Sequence, residues 1–177
     1  SGQQPIPRLR SAYLDLANAN SGTKVRIGQQ FNLLFPIDSV TDSVAHVAFP
    51  LGYGTGMIGW RYPGVVVMQD LNKGAAGSKW RLDVGAFNGN WNGPGSTTNY
   101  MTGGNAGFRP QLEARLNVTG SNWVAYAVGH YSEIDLSGVD GATPTPIEKT
   151  IKSNAFALGG TFKPGPWNLK GFVFTGK

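Results

Sequence analysis

The stretch from Phe108 to Val118 reads FRPQLEARLNV, and its alternation decides the fold class. Phe108, Pro110, Leu112, Ala114, Leu116 and Val118 fall on one side of a two-residue period. Arg109, Gln111, Glu113, Arg115 and Asn117 fall on the other. Successive side chains of a strand point to opposite faces, so this pattern describes a strand with one apolar and one polar face. A helix would crowd Leu112 and Leu116 against Arg109 and Glu113 in neighbouring stripes. A tilted strand crosses a bilayer in about 9–11 residues, a length this stretch reaches. A water-soluble antiparallel sheet with one wet face gives the same alternation, so the period alone leaves the solvent of the apolar face open.

Working outward, the same period recurs. Leu9 to Ala17 sets Ala12, Leu14 and Leu16 against Ser11, Tyr13 and Asp15. Thr23 to Phe35 sets Val25, Ile27, Phe31, Leu33 and Phe35 against Lys24, Arg26, Gly28, Gln30 and Asn32. Lys79 to Phe87 sets Trp80, Leu82, Val84 and Ala86 against Arg81, Asp83 and Gly85. Trp123 to Tyr131, Ile151 to Phe162 and Trp167 to Phe174 are weaker copies, and Met57 to Asp70 is a long run in which Pro63 and Gly64 predict a bend or bulge. Eight strands result. Short connections (Asn18–Gly22, Thr119–Asn122, Pro164–Pro166) contrast with long polar ones (Pro36–Gly56, Asn88–Gly107, Glu133–Glu148). From Asn88 onward short and long alternate, as they do when hairpins form an up-and-down barrel with short turns at one rim.

Composition supports an all-β chain. Of 177 residues 26 are Gly, and only 14% are charged, against about 25% in ordinary domains. Mean hydropathy is nonetheless −0.20, because small polar residues fill the gap. Aromatics at 11% argue against disorder. There is no cysteine, which excludes disulfides, thiol chemistry and Cys-ligated zinc, and two histidines cannot build a multi-His metal site. The net charge of +5 comes from scattered residues, so no nucleic-acid footprint is expected. Trp80, Trp123 and Trp167 sit at strand starts, with Tyr131 and Phe162 near strand ends. Both a membrane-interface girdle and plain strand propensity account for that placement.

Several chemical motifs dissolve on inspection. Gly54, Gly56 and Gly59 satisfy GxGxxG, but a loop precedes them and strand-like sequence follows, so loop punctuation is the better reading. His46 with Ser43 and Asp42, and His130 with Ser132 and Asp135, suggest hydrolase sites, yet no GxSxG elbow is present. Asp83 and Glu113 each have a nearby arginine, so ion pairing on a wet wall explains them better than acid–base catalysis. Asn117-Val118-Thr119 marks a turn after a strand. The expectation is therefore no enzyme, no catalytic residues, no cofactor and no metal.

The chain resembles the porins of Gram-negative outer membranes, particularly the DcaP-like type. The resemblance lies in RLRSAYLDL from Arg8, VRIGQQFNLLFP from Val25, AHVAFPLGYGTGMIGWRYPGVVV from Ala45, GFRPQLEARLNV from Gly107, VGHYSE from Val128 and FALGGTFKPGPWNLKGFVFTGK from Phe156. These occur in the family's order. The resemblance implies a water-filled transmembrane barrel, an inward-folded constriction loop, a homotrimer and passive passage of solutes across the bacterial outer membrane. Such porins are roughly twice as long, open with strands absent here and close on an aromatic residue. The expected architecture is thus one domain over 1–177, an antiparallel up-and-down transmembrane β-barrel: either about eight strands of a larger ring, incomplete at both ends, or an unusual small relative whose eight strands close around side chains.

The polar faces give the expected site. Lys24, Arg26, Arg61, Arg81, Asp83, Arg109, Gln111, Glu113 and Arg115 are expected to line the pore, and residues 36–56, with Asp38, Asp42 and His46, to form the constriction loop by resemblance. Counting Lys170 and Asp15 with the lining charges, seven cations face three anions, a surplus of four that predicts preference for small anionic solutes. Arg109, Glu113 and Arg115 should pair across strands, with Arg81 and Asp83 as partners. The expected partners are outer-membrane lipid and small hydrophilic solutes, with no nucleic acid. The alternative is a secreted β-sandwich or lectin-like module binding glycans through Trp60, Trp91 and loop asparagines.

Overall fold

The structure, a computed structural model, describes residues 11–34, 61–73, 75–88, 109–135 and 150–177. They form eight strands: β1 (Ala12–Asn18), β2 (Thr23–Phe31), β3 (Arg61–Asp70), β4 (Lys79–Phe87), β5 (Gln111–Thr119), β6 (Trp123–Asp135), β7 (Thr150–Phe162) and β8 (Leu169–Gly176). All lie in one antiparallel sheet, in sequence order from β1 to β8. Each strand pairs with its chain neighbours, which is the up-and-down topology that the period-two pattern predicts. Among the described residues β1 and β8 do not pair with each other, so the sheet is open.

The hairpins explain the order. In the first, Gly22 sits at φ 71°, its N–H donates to the Asn18 carbonyl at 3.1 Å, and the Asn18 side chain accepts from the Asn20 N–H at 2.9 Å. Asn and Gly are the residues that such left-handed turns need. The β3–β4 turn is closed by Asn72, whose amide donates to the Ser78 carbonyl at 2.7 Å and whose oxygen accepts from the Trp80 N–H at 2.8 Å. Gln69 reaches from β3 to the Ser21 carbonyl at 3.0 Å and joins the two turns. The four short connections all lie at one end of the sheet, and the three long ones at the other.

The bend expected at Pro63 and Gly64 does not break the ladder. Pairing of β2 with β3 runs without a slip from Thr23↔Gln69 to Phe31↔Arg61, with Gln29↔Pro63 and Gly28↔Gly64 in register. Proline lacks only an N–H, and that loss falls beyond the β4 pairing, which starts at Gly64↔Phe87. The Pro63 carbonyl still accepts from the Asn88 N–H at 2.8 Å.

Register sorts the side chains into two faces. One set holds Asp15, Arg26, Val66, Gly85, Glu113, His130 and Ala155, and the other Leu14, Ile27, Val65, Ala86, Leu112, Tyr131 and Asn154. We call these the inner and outer faces. The buried residues lie on the inner one: Tyr62, Val66, Met68, Phe87, Val128 and Ala157, with Asp83, Gln111, Glu113 and Arg115. The outer face is exposed and apolar, with Leu14, Ile27, Val65, Val67, Leu82, Val84, Leu112, Phe156, Leu158 and Val173 all open to the surroundings. Its charged register pair, Glu133↔Lys152, lies beyond Tyr131 toward the long connections.

Candidate functional site

The inner face carries three separate polar groups, centred on Asp15 at β1–β2, on Asp83 at β4–β5 and on Glu113 at β5–β6. Arg26 forks onto Asp15 with Nε–Oδ1 at 2.6 Å and Nη2–Oδ2 at 2.8 Å. Lys24 approaches the same carboxylate at 3.6 Å. The Arg26 guanidinium also lies 3.7 Å above the Tyr13 ring centroid, a favourable cation–π distance. On β4, Asp83 is fully buried. Arg81 forks onto it at 2.7 and 3.0 Å. Arg115 donates to it from Nε at 3.3 Å and Nη2 at 3.1 Å, and Asn117 at 2.8 Å. A buried carboxylate is costly unless its lone pairs are filled, and here two guanidiniums and an amide fill them.

Glu113 is the second buried carboxylate, 2% exposed. Its Oε1 accepts from Gln111 Nε2 at 2.6 Å and Asn32 Nδ2 at 3.2 Å, and lies 3.0 Å from His130 Nδ1. Its Oε2 accepts the backbone N–H of Leu33, and that of Leu34 at 2.9 Å. His130 Nε2 lies 3.1 Å from Ser132 Oγ. With the carboxylate as acceptor, Nδ1 carries a hydrogen toward Glu113, and Nε2 faces the serine hydroxyl.

The partners of Glu113 show that the chain leaving β2 turns inward. Asn32, Leu33 and Leu34 are all buried. They start beside β3 and bond to β5, so they pass over β3 and β4 on the inner face. Glycines clear the way: a Cβ at Gly85 would stand 3.3 Å from Leu33 Cδ1 and 2.6 Å from the Phe87 ring, and one at Gly64 would stand 2.6 Å from the same ring. Leu33, Leu34, Tyr62, Val66 and Phe87 belong to one buried cluster.

Most of the expected lining residues come together. Lys24, Arg26, Arg81, Asp83, Gln111, Glu113 and Arg115 share the inner set. The expected Arg115–Asp83 pair is present. Arg109 departs from expectation: it precedes β5 and pairs with Glu133 of β6 rather than with Asp83. Arg61 opens β3 opposite Phe31, at the last pair of the β2–β3 ladder. The cationic surplus shrinks as well. By register the inner set holds Lys24, Arg26, Lys79, Arg81, Arg115 and Lys170 against Asp15, Asp70, Asp83 and Glu113, a surplus of two. Residues 36–56, including Asp38, Asp42 and His46, lie outside the described residues, as do Trp60 and Trp91.

Asn32, Leu33 and Leu34 escaped the sequence reading because the apolar alternation of β2 continues through Phe35. The Ser–His pairing of 132 and 130 is present, but its carboxylate is Glu113. Glu113 serves four donors besides the imidazole, which ties it to the Asn32–Leu34 segment. Among the described residues no group of three or more acidic or imidazole side chains converges as a metal centre needs. No helix among them is long and apolar enough to cross a membrane. No family model, no curated protein and no solved structure matches the chain.

Proposed function

We propose that the chain is wall of a transmembrane β-barrel porin of the bacterial outer membrane, through which small hydrophilic solutes diffuse. One observation carries this reading: the sheet leaves an apolar face open while its buried charges lie on the other. The inner face holds Asp83, Gln111, Glu113 and Arg115 beside a buried apolar cluster, while the open face holds Leu14, Val65, Val84, Leu112 and Val173. A sheet in water hides its apolar face, and exposed apolar patches above a few hundred Å² are unusual in soluble monomers. Lipid accepts such a face, with the opposite face lining water. Trp80, Trp123, Phe162 and Trp167 gather at the short-turn end, where amphipathic rings meet a headgroup layer.

In this reading the open edges of β1 and β8 pair with further strands, because an unpaired edge is not tolerated within hydrocarbon. The cationic surplus favours anions modestly, since Asp83 and Asp15 neutralise much of the wall. By the resemblance to DcaP-like porins, the assembly in this reading is a homotrimer. The test is reconstitution into planar bilayers under a salt gradient: stepwise conductance with a reversal potential on the anion-selective side supports it. A protein that stays monodisperse in buffer without detergent and leaves the bilayer silent contradicts it and favours the glycan-binding sandwich.

A further inference from the structure

We infer that Glu113 is a clamp that holds the chain leaving β2 across the inner wall and thereby fixes how much of the wet face is open. The inference rests on the channel reading for its functional half only.

The geometry is unusual for a strand carboxylate. Side chains on a wet wall pair with neighbours one strand away, as Asp83 does with Arg115. Glu113 instead spends one whole oxygen on two consecutive main-chain N–H groups, those of Leu33 and Leu34, 80 and 79 residues distant in sequence. Its other oxygen takes Asn32 Nδ2 from the same segment. Three successive residues are thus gripped by one side chain. Buried main-chain N–H groups must find acceptors, and those of Leu33 and Leu34 have left the β-ladder, which ends at Phe31↔Arg61.

The seat is prepared on both sides. Gln111 at 2.6 Å and His130 at 3.0 Å hold the carboxylate from β5 and β6, and Ser132 holds the imidazole from behind. Beneath the segment, Gly64 and Gly85 leave room that the Phe87 ring and Leu33 fill. Such a segment is a fixed ledge rather than a free loop: charge-assisted bonds are about twice as strong as neutral ones, and the carboxylate has no water-facing alternative. His130 and Ser132 act through Glu113 as positioning residues.

Two readouts test this separately. In wild-type protein in detergent micelles or nanodiscs, hydrogen exchange should find the Leu33 and Leu34 amides protected like strand amides, although they lie outside the strands. In Glu113→Gln, and more fully in Glu113→Ala, those two amides should exchange roughly tenfold faster or more, while amides of β3 and β7 hold their protection. Wild-type Leu33 and Leu34 exchanging as freely as the Asn20 turn amide would overturn the clamp without any variant. In bilayers Glu113→Gln should give larger, noisier single-channel steps than wild type. Unchanged steps with protection lost would overturn the link between clamp and bore. Silence from both proteins with wild-type protection intact would overturn the channel reading and leave the clamp standing.

Discussion

Asp83 and Arg115 face each other across the β4–β5 ladder, joined at 3.1 Å, and both are buried on the face that alternates with Val84, Leu112 and Ala114. An ion pair thus occupies the covered side of a sheet whose uncovered side is mainly apolar. Removing one partner leaves the other charge buried alone, which costs about 3–5 kcal/mol. Asp83→Ala should therefore lower the unfolding midpoint in detergent sharply. Asp83→Asn should cost less, because its amide still fills the space and accepts from Asn117. The double variant Asp83→Asn with Arg115→Gln should lose less than the two single losses combined, which a denaturant series checks.

The outer face makes a prediction that depends on its solvent. Arginine in place of Val84 or Leu112 should destabilise by about 2–4 kcal/mol if the site lies at the bilayer midplane. Replacing an exposed residue of a water-soluble sheet usually changes stability by within about 0.5 kcal/mol. Folding titrations in lipid vesicles distinguish the two outcomes, and Thr175→Arg near the end of β8 serves as a mild comparison.

Gly28 holds φ 132°, where side chains are strained, and a Cβ there would stand 2.3 Å from the Ala12 carbonyl oxygen and 2.7 Å from Tyr13 Cα. Gly28→Ala should therefore strain β2 and push β1 away by about 1–3 kcal/mol. The loss should show as faster amide exchange along Ala12–Asn18, with β5 to β7 unchanged. Gly171, with nothing near its Cβ position, should accept alanine with little effect.

Selectivity should rest on the less neutralised cations. Arg81 shares Asp83 with Arg115 yet keeps 41% of its side chain exposed, and Lys24 stands 3.6 Å from Asp15 with 35% exposed. Replacing both with Ser should move the reversal potential toward zero without abolishing conductance. Arg109→Ser should do less, because Glu133 already balances that charge. The opposite ranking in salt-gradient recordings would place the selective field elsewhere.

Strands were readable in the sequence wherever one face is apolar without interruption. Lys79–Phe87 is matched at both ends, and Trp123, Thr23, Asp70 and Phe162 each bound a strand as the period predicts. The period misled at Phe31. Leu33 and Phe35 continue the apolar set of β2, but the ladder stops because a carboxylate on β5 draws in the next N–H groups. A contact between residues 80 apart in sequence leaves no local mark. The same limit applies to partners: alternation put Arg109, Glu113 and Arg115 on one side and offered Asp83 as a partner, but the pairings of His130 with Glu113 and of Glu133 with Arg109 exist only in the folded sheet. Pro63 misled in the other direction, since a missing N–H matters only where a neighbouring strand would have used it.

The account stands on one claim, that the two faces of this sheet meet different solvents. The chain contains no cysteine, so single cysteines at Val84, Leu112 and Val173 on the outer face, and at Asn117, Lys24 and Ser132 on the inner face, can be read without background in lipid vesicles. The account predicts that probes on the first three are quenched by nitroxide-labelled lipid and resist a water-soluble maleimide, while the second three react with the maleimide and escape the lipid quencher. All six reacting with the maleimide, with no lipid quenching at Val84 or Leu112, would contradict it.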